Sequence, residues 1–77
     1  MRFRNNRIPY MFPAWVNGEF QHLTLMMVLE MSGSIVKEDE TFVTIDVDPA
    51  DLDTVGNPEL KTLRIEWVRE CLEVLEP

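Results

Sequence analysis

The sequence predicts a small α+β domain with a Met/Leu-rich helix, a β-hairpin and a C-terminal amphipathic helix. Three observations carry that expectation. Residues 19–31 are rich in leucine and methionine, residues 42–47 alternate apolar with polar, and an Asn-Pro-Glu start at residue 57 opens an amphipathic pattern that runs to residue 75. The chain has 77 residues, 45% of them hydrophobic, which is globular composition in a length that holds one core. Residues 1–77 therefore read as a single small domain, with 1–14 as an extended N-terminal arm.

In the arm, Pro9 and Pro13 interrupt a run containing Phe3, Ile8, Tyr10, Met11 and Phe12. Proline fixes φ and restricts the residue before it, so this segment is expected to lie extended against the body through its aromatics. The stretch AWVNGEF carries two signals. Asn17-Gly18 between Trp15-Val16 and Phe20 is a strong short hairpin signal, yet Asn17 followed by Glu19 also caps a helix. The Leu/Met content that follows favours helix over 19–31, ending at Ser32-Gly33 and apolar almost all round.

Beyond it, Ile35-Val36, a charged turn at 37–40 and a strand at 42–47 form the hairpin, in which Val43, Ile45 and Val47 share one face. Pro49 ends the strand and opens an acidic loop. Asn57 then caps the second helix with Pro58 at its first position, placing Leu60, Leu63, Trp67, Cys71, Val74 and Leu75 on one side. A competing pattern overlaps it. TLRIEWV alternates strictly, with Leu63, Ile65 and Trp67 opposed to Thr62, Arg64 and Glu66, and if strand prevails there the fold becomes a mostly-β small barrel.

The margin of stability is thin. Folding a chain of this size buries about 8,000 Å², worth roughly 120 kcal/mol if a little over half is apolar. Ordering it costs about 115 kcal/mol at roughly 1.5 kcal/mol per residue. A second copy or a partner that buries more surface would help.

Composition excludes several classes. The single cysteine, Cys71, forms no internal disulfide, and no Cys/His cluster is present for zinc, which points to a reducing compartment. The most apolar run, 23–29, is far shorter than the roughly 20 residues of a membrane span, and Pro9 and Pro13 break any signal-peptide core. The expectation is a cytoplasmic protein with no membrane partner. Net charge is -7, and because Arg2, Arg4 and Arg7 hold three of the seven cations, residues 8–77 carry fourteen acids against four bases. That body repels a phosphate backbone.

No catalytic constellation is legible. His22 is the only histidine and stands beside no nucleophile motif, Cys71 is flanked by Glu70 and Glu73, and SGS at 32–34 lacks the context of a nucleophile elbow. There is no P-loop or dinucleotide fingerprint, so no cofactor is expected. Asp46, Asp48, Asp51 and Asp53 crowd DVDPADLD, but a calcium loop would need a ligand at Ala50, glycine at Asp51 and glutamate at Asn57. Turn formation explains the aspartates better.

Glu38-Asp39-Glu40 and the Asp46 to Asp53 stretch together hold seven carboxylates in sixteen residues. The expectation is a non-enzymatic binding module whose carboxylates Glu38, Asp39, Glu40, Asp48, Asp51 and Asp53 dock on the basic surface of a protein partner. Tyr10 and Phe12, with Met11 and Trp15, are the expected apolar anchors. By size and charge the chain is analogous to small acidic virus-encoded inhibitors of host nucleic-acid-handling proteins. Two other readings stand beside it: a homo-oligomeric assembly subunit built through the apolar helices, and a weak nucleic-acid binder using the arginines of the arm.

Overall fold

Asn17 and Gly18 both hold positive φ, 52° and 84°, the pair of left-handed residues that closes a two-residue hairpin with the twist strands require. A computed structural model describes all 77 residues, and in it this turn reverses the chain. The expected first helix is absent. Residues Tyr10–Val16 form strand β2 and Glu19–Leu25 form β3, paired without a break from Val16 opposite Glu19 to Tyr10 opposite Leu25. The other strands are β1 (Arg2–Asn5), β4 (Glu30–Glu38), β5 (Phe42–Val47), β6 (Leu63–Val68) and β7 (Leu72–Glu76).

The α+β expectation is thus overturned: the protein is a curled antiparallel sheet in the order β3-β2-β6-β5-β4-β1-β7. Helix fails at 19–31 for a physical reason. A helix apolar all round must be enclosed on every side, and 77 residues cannot enclose it. As strand and loop, the same residues send Leu25 and Met31 into the core and leave Met26, Met27 and Val28 on the surface. Helical propensity yields to what the sheet can bury.

The C-terminal helix is overturned in the same way. Leu63, Ile65 and Trp67 are each 3% exposed or less and point to one face of β6, a central strand paired with β2 and β5. The strict alternation wins because both edges of that strand are hydrogen-bonded and one face is buried. The cap signal at Asn57 is real but local. Its Oδ1 accepts from Glu59 N at 3.0 Å, and the segment makes a turn instead of a helix. After β6, a 3-10 turn at Arg69–Cys71 buries Cys71 before β7 begins. The expected hairpin is present as β4 and β5, and the acidic loop contains a 3-10 helix at Pro49–Val55 that drops Leu52 into the core.

The sheet rolls up on itself. In its order β1 and β2 stand four strand spacings apart, roughly 19 Å if the sheet were flat. Yet Phe3 of β1 and Phe12 of β2 both pack on Trp67, with ring centroids 5.0 and 4.9 Å away. Two features of β4 help the sheet bend. At Gly33 an added Cβ would lie 2.5 Å from Asp46 O and 2.7 Å from Ile45 Cγ2, so only glycine lets β4 approach β5 this closely. A register shift between Ile35 and Lys37 adds to the bend. Residues 1–14, read from sequence as an arm, supply β1 and most of β2, and Phe3 and Phe12 are fully buried.

One buried polar side chain ties two loops together. Asn5 is fully buried, donates from Nδ2 to Arg7 O at 2.9 Å and Met27 O at 3.2 Å, and accepts at Oδ1 from Leu29 N at 2.8 Å. The loops before β2 and after β3 are held by it at one end of the sheet.

Candidate functional site

The seven crowded carboxylates do not form one patch. They divide between the two ends of β5, a strand of six residues that spans roughly 20 Å. Sequence neighbours on either side of a strand become opposite ends of the molecule.

At the first end, Asp39 closes the β4–β5 turn. Its Oδ1 accepts from Phe42 N at 2.7 Å and Thr41 N at 2.8 Å, and those two bonds hold its carboxyl below the usual aspartate range. Glu38 pairs with Arg69 at 3.2 Å, and the same guanidinium donates to Asp39 O at 2.6 Å. Glu40 makes no ion pair and points to solvent. Of the three residues expected to meet a partner here, two already hold the turn.

At the second end, Asp51 accepts from Ser32 N at 2.8 Å and so fastens the 3-10 helix to β4. Asp48 precedes that helix and Asp53 lies within it, and both are exposed. Asp46, on the outer face of β5, receives Arg64 in two-pronged fashion at 2.6 and 3.1 Å. That hydrogen bond lowers the Asp46 pKa and raises that of Arg64.

The aromatic anchors are redistributed more sharply. Phe12 lies in the core against Trp67 and reaches no solvent. Tyr10 is half-buried on Phe12, with ring centroids 4.2 Å apart. Burial first, then the neighbouring Cys71 thiol, pushes its hydroxyl pKa up. The exposed aromatic surface is elsewhere, on the outer face of the β2–β3 hairpin. Trp15 meets its cross-strand neighbour Phe20 edge-on at 5.4 Å, and Phe20 meets His22 at 5.5 Å. Phe20 is 58% exposed and Met11, farther along the same face, 59%. Phe20 is absent from the residues nominated on sequence because a helix was expected there; the Asn-Gly turn followed by Phe20, His22 and Thr24 in alternation was the signal that locates it.

Beside Trp15 runs an open groove of about 520 Å³ lined by Asp46, Val47, Lys61, Thr62 and Arg64 among others. Asn17 holds the segment that carries Lys61 and Thr62: Oδ1 accepts from Lys61 N at 2.6 Å and Thr62 N at 3.1 Å, while Nδ2 donates to Glu59 O at 3.0 Å. No group of three His, Cys, Asp or Glu side chains converges to hold a metal ion. His22 is on the outer surface, and Cys71 is 1% exposed inside.

Two of the three arginines near the N-terminus are occupied, and Arg7 is in no ion pair. Arg2 faces Glu30 at 3.4 Å, and Arg4 lies between Glu73 at 2.9 Å and Glu30 at 3.8 Å. No helix is long and apolar enough to cross a membrane. No protein-family model, curated protein or solved structure is significantly similar to the chain.

Proposed function

We propose that the chain is a non-enzymatic protein-binding module that meets a partner's basic surface with its carboxylates and grips through the apolar outer face of the β2–β3 hairpin. One observation carries the reading. Arg2, Arg4, Arg64 and Arg69 are taken up in internal ion pairs, which leaves Arg7, Lys37 and Lys61 against ten carboxylates outside any ion pair. The surface offered to another molecule is therefore more one-signed than the net charge of -7 implies. Its complement is a positive cleft, such as one in which a nucleic-acid-handling protein holds phosphates.

Charge and grip separate on the surface as they do in many interfaces. Rim carboxylates such as Glu40, Asp48 and Asp53 set the rate of encounter, and exposed Met11 and Phe20, with half-buried Trp15 beside Phe20, set the rate of release. Direct binding of nucleic acid through the N-terminus is disfavoured, because Arg2 and Arg4 would first have to abandon their own glutamates.

Capture from a cell lysate at low and high salt tests this when the parent runs beside a Glu40→Gln, Asp48→Asn, Asp53→Asn variant. A specific protein retained at low salt, released at high salt and lost by the variant supports the reading. A variant that captures the same protein equally well overturns it.

A further inference from the structure

The open edge of β3 is built to accept another strand, and we infer that its occupant is β3 of a second copy, paired antiparallel about a two-fold axis at His22. The direction of the free backbone groups follows from the hairpin. A two-residue turn makes Val16 and Glu19 a hydrogen-bonded pair, and pairs alternate from there. Glu19, Gln21, Leu23 and Leu25 thus bond to β2, while the N–H and C=O of Phe20, His22 and Thr24 point outward. Pro13 confirms the alternation. Opposite His22 it sits at a non-bonded pair, its missing N–H faces β6, and the β2–β6 ladder stops at Ala14.

Natural edges are normally blunted by proline, lysine, a bulge or a charge in mid-strand. Here β3 has none of these over seven residues, and its one charge, Glu19, is at the end. The other edge, β7, carries Glu73 and Glu76 within five residues. Charge selects between the edges. A second copy brings its own excess of carboxylates, and self-pairing along β7 would bring four glutamates to a seam of five residues, whereas along β3 each copy brings one, at the strand's end.

Register follows from the bonding groups. Outward backbone must meet outward backbone, and the arrangement that uses all three residues pairs Phe20 with the second copy's Thr24 and His22 with its own counterpart, closing six hydrogen bonds. Glu19 then lies opposite Leu25. On the outer face, the two Phe20 rings flank the axis, where each is now 58% exposed. The pairing joins two seven-stranded sheets into one and covers the β3 edge of both copies.

Sedimentation equilibrium across a concentration series tests the pairing. The parent is expected to shift from 9.0 kDa to twice that mass as concentration rises. His22→Pro removes only an outward N–H and leaves the β2 ladder intact, so it should stay at 9.0 kDa with an unchanged circular dichroism spectrum. His22→Glu and His22→Lys each set like charges across the axis and should weaken the dimer about fivefold, while an equimolar mixture of the two recovers it. A parent that remains at 9.0 kDa throughout overturns the inference, as does a dimer indifferent to His22→Pro or a mixture no tighter than either variant alone.

Discussion

Replacing Asn5 with alanine should cost about 3 kcal/mol, far more than its polar, arginine-flanked setting implies. The side chain is fully buried and makes three hydrogen bonds, to Arg7 O, to Met27 O and from Leu29 N, none of which alanine can replace. At about 1 kcal/mol for each bond lost, the sum is a large share of the roughly 4 to 12 kcal/mol a domain of this length possesses. The melting temperature should fall by about 12 to 24 °C. Asn6→Ala is the control: that neighbour is exposed and gives up one bond, Nδ2 to Glu70 O at 3.0 Å. Asn5→Asp sharpens the test. It keeps the acceptor for Leu29 but turns a carboxylate toward two carbonyl oxygens, which raises the carboxyl's folded-state pKa above its unfolded value. Its deficit should therefore be smallest below about pH 4 and grow as pH rises through the raised pKa. Urea unfolding followed by tryptophan fluorescence reads all of these. A loss under about 0.5 kcal/mol for Asn5→Ala, the size of an ordinary surface change, refutes the reasoning, and so does an Asn5→Asp deficit that ignores pH.

Gly33→Ala should destabilise by about 3 kcal/mol, near the upper end of overpacking costs, because the new methyl would press on a backbone oxygen that cannot rotate away; the urea midpoint measures it. Phe12→Ala should cost about 3 to 5 kcal/mol and broaden or abolish the thermal transition, whereas Tyr10→Ala, at a half-buried position, leaves a cooperative melt. Asp46 has a depressed pKa in the folded chain, so its pairing with Arg64 stabilises above the unfolded pKa and fades as pH falls through the folded one. Asp46→Asn should accordingly cost a small amount near neutrality, under about 1 kcal/mol because the pair is half-exposed, and should flatten the fall in stability below about pH 4 by that same amount.

Part of the architecture was legible in the residues. The β4–β5 hairpin follows from the alternation at Phe42–Val47, Pro49 does end its strand, and TLRIEWV alternates as β6 does. The two misread helices share one cause. A Leu/Met-rich stretch and a capped, proline-started stretch are both good helix formers in isolation, and local signals cannot tell how much volume the rest of the chain has available to cover them. The nominated carboxylates fared differently from one another for a similar reason. Glu38, Asp39 and Asp51 are held by Arg69, the turn amides and Ser32, and those partners come from segments distant in sequence or from the turn's own closure.

By itself the sequence determined the quantities that do not depend on what lies next to what: one core, a strong excess of carboxylates, no membrane-length helix, and the turn chemistry of Asn17-Gly18. Only the tertiary structure decided which aromatics are core and which are surface, that Arg2 and Arg4 are already paired, and that β3 is left as an open edge. The reason is that burial and pairing are properties of the rolled sheet. Phe3 and Phe12 are nine residues apart in a segment that reads as an extended arm, and they become core because β1 and β2, separated by three strands in the sheet, both pack on Trp67.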